Sequence, residues 1–275
     1  MKFIHKKIPE DINITKRHPL SNLAHLLGMV IIIGVIGFVL LGVTADLISR
    51  WISPEMEAKI GNSLLTMVSD NEIKDDKRIK YLTELIYSLP KKDEEIRLPL
   101  KLHLIESDVV NAFVIAGGHI FIHTALLKTV ESENELAFVL AHELGHFQER
   151  HPINGLGRGI IFMLVANILN FGTHVNVPDI LSLGSELYLM NYSRKQETAA
   201  DLYALERIIN RYGHGGHTMQ FFKRLEKDEA EGNLVKVSEY FSTHPRSKER
   251  IERLMLEAEK QTWKMQGDAT SVSNI

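Results

Sequence analysis

The chain has 275 residues, and at about 150 residues per domain it has room for one or two domains. It is 44% hydrophobic and 24% charged, with 8 Pro and 18 Gly, a composition that excludes disorder or a collagen-like repeat for its bulk. A net charge of −3 gives no global basic field for nucleic acid, and the lack of Cys leaves any metal to His and carboxylates.

The first predicted element is a membrane helix. Leu26 to Val43 is an uncharged run of eighteen residues, and at about 1.5 Å per residue it spans roughly 27 Å, close to bilayer hydrocarbon thickness. Leu, Ile, Val and Phe dominate the run, and at roughly −0.3 to −0.6 kcal/mol each they outweigh its glycines. Lys2, Lys6, Lys7, Lys16 and Arg17 precede it, while Asp46, Arg50 and Trp51 follow. Positive residues stay on the cytoplasmic side. Residues 1–25 are therefore expected in the cytoplasm, 26–45 as a single anchor, and the remainder outside, in the periplasm or its equivalent. Val43-Thr44-Ala45 also passes as a signal-peptide cleavage site, but the long leading segment favours an uncleaved anchor.

Ser53-Pro54 marks a helix start, with Met56, Ile60, Leu64, Met67 and Val68 on one face. A second helix is expected from about Asp75 to Leu89, where Ile79, Leu82, Leu85, Ile86 and Leu89 recur at helical spacing. The period then falls to two. Lys101 to Leu104, Val110 to Val114 and His119 to His123 read as strands, the last two joined at Gly117-Gly118, in a small antiparallel meander. Ser132 to Glu135 is a capping box launching a helix to about Glu149, before Pro152. Gly155 to Gly159 reads as a flexible loop, since it lacks phosphate-loop spacing. Ile160 to Phe171 is apolar but too short to span a membrane, and reads as a core or lid helix. Helices follow at about Glu186 to Tyr212, His217 to Glu231 and Arg246 to Trp263. The end, residues 266–275, is small and polar and is expected to be disordered. The fold class is α+β, predominantly helical, with a catalytic-type domain over residues 46–265.

The chemistry concentrates in His142-Glu143-Leu144-Gly145-His146. Residues four apart share a helix face, so both imidazoles can reach one Zn²⁺, while Glu143 faces the same cleft and can take a proton from water. Further on, Glu197 and Asp201 are again four apart. Glu197 can complete a His₂Glu ligand set, and Asp201 can accept from the free ring nitrogen of one His ligand. One Zn²⁺ per chain is the expected cofactor.

The order HELGH, then SRKQETAAD, then Ser242-Thr243-His244-Pro245 with Arg250-Ile251 behind it resembles the CaaX prenyl protease and HtpX family of gluzincin zinc metallopeptidases. Asn111-Ala112-Phe113 and the Gly117-Gly118 turn match the pattern upstream of the metal helix, and the likeness covers about Ser53 to Arg253. It implies a gluzincin-like domain with His142, His146 and Glu197 as zinc ligands and Glu143 as general base. The chain departs from the pattern at Ala199, where the family often has Glu, and at Ala116, where it often has Pro. The single span resembles the smaller extracytoplasmic members rather than the multi-span prenyl proteases.

The expected reaction is peptide hydrolysis by a zinc-activated water, with Glu143 carrying the proton to the leaving amine. His244 is the candidate oxyanion donor, or else a helix-capping His. An extended substrate is expected to pair with the strand edge at Asn111, Ala112 and Phe113. Such pairing reads little sequence and suits unfolded or misassembled membrane or envelope proteins as partners. A membrane-tethered chaperone or assembly factor that cleaves rarely is the alternative, and a structural zinc site is disfavoured because three ligands leave a position open.

Overall fold

The apolar run forms the middle of α1 (Pro19–Trp51), a helix long and apolar enough to cross a membrane. It extends beyond 26–45 at both ends because its polar flanks are compatible with helix. Leu26, Val30, Ile33 and Val39 are each more than half exposed, which in water would be unfavourable by about 25 cal/mol per Å² of apolar surface. The computed structural model describes residues 19–68, 71–74, 76–157, 192–230, 244 and 248–272. The stretch Ile160 to Phe171 and the start of the helix expected from Glu186 lie outside them. By its contacts the chain divides into two units, 1–44 and 45–275; the second holds every candidate site residue.

In that unit α2 (Pro54–Val68) and α3 (Lys77–Tyr87) precede the sheet. Asp76 caps α3 by accepting from Arg78 N, and Leu82, Leu85 and Ile86 are its buried face. Each such side chain contributes about 1.5–3 kcal/mol when fully buried. The sheet has β1 (Glu72–Ile73), β2 (Lys101–Ile105), β3 (Ala112–Ile115) and β4 (His119–His123) in the order β1-β2-β4-β3. It is mixed, not the antiparallel meander expected. β3 and β4 form the hairpin, turning through Gly117 and Gly118 at φ 84° and 79°, which glycine adopts without a Cβ penalty. β4 then lies parallel to β2, Lys101 opposite His119 and Ile105 opposite His123. The cause is the 106–111 connection, which crosses the end of β4. Ala125 N donates to Ser107 O and His123 N to Asn111 O, so β3 is carried one strand too far to pair with β2.

Alternation on the strands feeds two apolar clusters. Ala112, Val114, Ile120 and Ile122 join the main core with α3 and α5. Phe113, Ile115 and Phe121 form a smaller one with Leu64, Ile60 and Leu65 of α2. After α4 (Thr124–Thr129) comes α5 (Glu133–Gln148), buried at every residue from Glu133 to Phe147. Ser132 accepts from Glu135 N at its start, whereas the Glu135 carboxylate accepts from Glu131 N instead of the Ser132 N that a full capping box requires. Residues 151–157 are helical, so Gly155 and Gly157 lie in a helix rather than the flexible loop expected.

α6 (Arg194–Tyr212), α7 (Gln220–Ala230) and α8 (Lys248–Lys260) complete the described elements. α6 begins at Arg194, not Glu186, because Ser193 caps it in a reciprocal box with Gln196. α5 and α6 approach closely at Gly145, where a Cβ would lie 3.1 Å from Ala200 Cα. The expected disorder from 266 is not found at Thr270. Its N–H donates to Asn134 Oδ1 at 2.8 Å and its carbonyl accepts from Glu133 N at 2.9 Å, satisfying a donor that the α5 N-terminus would otherwise leave open.

Candidate metal centre

Because α5 is straight through the HELGH run, His142 and His146 fall on one face, opposite the first two turns of α6. Glu197 and Asp201 occupy that facing stripe for the same four-residue reason. His142, His146, Glu197 and His244 are all buried and offer ligand atoms within 4.8 Å of one another. Nε2 of His142 and Nε2 of His146 are 3.0 Å apart. Glu197 Oε1 is 3.3 Å from His146 Nε2, and its Oε2 is 3.5 Å from His142 Nε2. His244 Nδ1 is 3.1 Å from Glu197 Oε1 and 3.2 Å from His142 Nε2.

Around this set sits a polar shell. His142 Nδ1 is 3.0 Å from Asp201 Oδ1. Arg250 of α8 donates from Nε and Nη2 to Asp201, both at 2.7 Å, and forms an ion pair with Glu197, its Nη1 2.8 Å from Oε2. His146 Nδ1 lies 2.9 Å from His151 Nδ1, and the Tyr192 ring stacks on His146 at 3.8 Å. Glu143 is fully buried, with His244 Nε2 3.3 Å from its Oε1 and the Val114 N–H of β3 directed at its carboxylate.

The electrostatics divide the carboxyl groups. Burial pushes Glu143 above the usual carboxylate range, and the nearby imidazoles offset this only in part. Burial acts the same way on Glu197, but His244, His142 and the His146 hydrogen bond outweigh it and hold it well below that range. Asp201 is likewise lowered, burial being outweighed by Arg250 and His142 together. Burial drives His146 well below its ordinary value, leaving a neutral ring with a lone pair to give.

These residues fit a zinc ion. Tetrahedral ligands at about 2.0–2.1 Å stand roughly 3.3–3.4 Å apart, close to the separations just given. The two Nε2 atoms converge to 3.0 Å, close enough for one cation to lie between them. Among the described residues the buried carboxylates of Glu197 and Asp201 share one guanidinium, that of Arg250, and a divalent cation offsets the charge left over.

His142, Glu143, His146, Glu197, Asp201 and His244 thus come together in one buried cluster. Asn111, Ala112 and Phe113 lie on the neighbouring β3, but the Phe113 ring turns away and stacks on Phe121 at 4.7 Å, which leaves only its backbone to a ligand. Arg250, Tyr192 and His151 were not foreseen as site residues. Pro152 hinted at His151, since a helix stop just after a metal motif returns the next side chain toward it. Nothing local marks Arg250 or Tyr192.

Comparison with known proteins agrees with this geometry. The chain is 32% identical over 162 residues to the mitochondrial metalloendopeptidase OMA1 of Schizosaccharomyces pombe, covering 57% of this chain and 46% of that protein. For OMA1 of Saccharomyces cerevisiae the identity is 28% over 223 residues, with 74% and 64% covered. For the beta-barrel assembly-enhancing protease of Escherichia coli K12 it is 25% over 192 residues, with 65% and 38% covered. The chain spans roughly half the length of these relatives. The sequence pattern of peptidase family M48 matches residues 76–258, a stretch that holds both ligand helices, His244 and Arg250, and the chain belongs to that family.

Proposed function

We propose that the protein is a membrane-anchored zinc metalloendopeptidase that cleaves unfolded or misassembled membrane or envelope proteins. The observation that carries this reading is the convergence of buried ligand atoms from His142, His146, Glu197 and His244 within 4.8 Å. His142, His146 and Glu197 would hold the zinc. Bound there, it supplies Lewis acidity toward a peptide carbonyl and toward water.

The chain's own groups do the rest. Glu143, raised by burial, is suited to accept a proton from the attacking water and to release it to the leaving amine. Asp201, clamped by Arg250, holds His142 in the tautomer that keeps Nε2 inward. β3 is an edge of the sheet among the described residues, and both polar atoms of the buried Asn111 side chain lack a partner there. An extended peptide paired along this edge would supply hydrogen bonds to it. The relatives' names, a mitochondrial metalloendopeptidase and a beta-barrel assembly-enhancing protease, support an endopeptidase, and the second supports a role in protein assembly. α1 supports a single-pass anchor, and the flanking charges support a cytoplasmic N-terminus with the domain outside.

His244 bears on a second reading. Its Nδ1 stands among the ligand atoms instead of apart from them, and as a fourth donor it would compete with water for the metal. This favours a peptide-binding assembly factor that cleaves only when His244 withdraws. Work as an oxyanion donor requires the same withdrawal.

Zinc content and cleavage of an unfolded protein, with and without a chelator, separate the two readings. Glu143→Gln keeps the donors and should keep the zinc, while turnover falls by roughly 10²–10⁴-fold. Wild-type cleavage by that variant overturns the peptidase mechanism. His244→Ala should raise turnover if the ring mainly closes the site, and lower it by roughly 10²–10³-fold if it stabilises the oxyanion.

A further inference from the structure

His146 and His151 are five residues apart. On a continued α-helix that spacing puts them about 140° apart around the axis, out of each other's reach. They meet at 2.9 Å, Nδ1 to Nδ1, because α5 stops. Glu149 N bonds back to Gly145 O and Arg150 N to Phe147 O, and Arg150 adopts φ 58°, a left-handed conformation uncommon for a residue with a Cβ. The chain reverses there and lays His151, 7% exposed, on the outer edge of the His146 ring. The reversal is anchored from outside α5. Arg150 Nη2 donates to Ile52 O at 2.9 Å and to Glu57 Oε2 at 3.2 Å, and Glu57 is 1% exposed.

We infer that His151 is the positioning residue of the second metal histidine, accepting the His146 Nδ1–H so that His146 Nε2 stays aimed at the metal. The inference rests on the zinc-site reading above and extends it to a residue outside the ligand set. With Nε2 of His146 directed inward, its proton belongs on Nδ1, and the only role left for His151 Nδ1 at 2.9 Å is acceptor. His151 therefore carries its own proton on Nε2. The two ligand rings are oriented by unlike means. His142 leans on a carboxylate locked by Arg250, and His146 leans on a neutral ring held by a strained turn. The second support is the weaker acceptor, so His146 is the ligand whose aim depends on how the backbone turns at Arg150.

The test uses the full-length protein in detergent. Asn places Oδ1 where His places Nδ1, so His151→Asn retains an acceptor there, whereas His151→Leu fills the space without one. Zinc affinity by competition with a chelator should fall roughly 10–100-fold in His151→Leu and return to near wild type in His151→Asn. The melting temperature of metal-free protein should be unchanged in both. Equal zinc affinity in His151→Leu and wild type, or an Asn variant as weak as the Leu variant, overturns the proposal. Should His151→Leu fail to fold, nitrogen NMR of zinc-loaded wild type labelled at histidine decides. His151 protonated on Nε2 upholds the inference, and His151 protonated on Nδ1 overturns it. Wild-type protein that binds no zinc would instead refute the metal site itself.

Discussion

Arg250 holds Asp201 with two nitrogens and Glu197 with the third, so one guanidinium steadies both a metal ligand and the acceptor that orients another. Removing the carboxylate leaves His142 Nδ1–H without its partner, and Asp201→Ala should weaken zinc affinity by roughly 10–100-fold; unchanged competition with a chelator would rule out this orienting role. A different residue governs acid stability. His119 is fully buried between His103 and Asn62. Burial, with Lys101 and His103 adding to it, pushes the ring from 6.5 down to about 4. Between those two values the unfolded chain takes up a proton that the folded chain refuses, so the stability owed to His119 falls as pH drops from 6.5 toward 4, and this contribution levels off below it. Allowing for screening by solvent near Lys101, the loss is on the order of 1–3 kcal/mol. His119→Asn should flatten this part of the curve. Urea unfolding of metal-free protein at pH 7, 5.5 and 4.5 measures it, and parallel curves for the two proteins would show that His119 is not the group responsible.

The helix pair is the element on which the site depends. Gly145 lets the α5 and α6 backbones close to a distance that a Cβ would obstruct, since it would meet Ala200 Cα and Tyr203 Cδ1 at 3.1 Å. Gly145→Val should cost about 1–3 kcal/mol as an overpacking change. It should also spread the histidines of one helix from the glutamate of the other, so that zinc affinity falls by more than stability alone explains. Thermal melts with and without zinc separate the two effects, and a variant whose zinc-induced stabilisation equals that of wild type would show that the close approach does not set the ligand spacing. Much of this pair was legible in the sequence, because four-residue spacing fixes which side chains share a helix face. The strand segments were legible from alternation for the same local reason. Their order was not, since period two says which face a residue takes and nothing about which strand lies beside it. The α6 start was missed because the cap that sets it is a hydrogen bond between Ser193 and Gln196, which the spacing of apolar residues does not reveal. Arg250 was illegible as a partner of Asp201, because that contact is made only by tertiary packing.

At the scale of the molecule, α1 and the domain after it set where the chemistry would take place. In the proposed topology, protease added to the outer side of the membrane should digest the domain while residues before α1 stay protected; protection of the domain until full lysis would reverse the orientation. The closing of the site by Arg250 has a consequence in time. Synthesis proceeds from the N-terminus, and at 5–20 residues per second the two histidines of α5 emerge about 5–20 s before the guanidinium that neutralises their partners. Until α8 is made, Asp201 lacks the two nitrogens that clamp it and Glu197 lacks the third, so a metal would have to offset both carboxylates without help from the guanidinium. A chain stopped after Glu249 should therefore bind zinc more weakly than the whole chain. In the proposed enzyme α8 completes the site late, and a nascent chain, itself an unfolded protein, passes through its most cleavable stage before its own cutting centre is fully set.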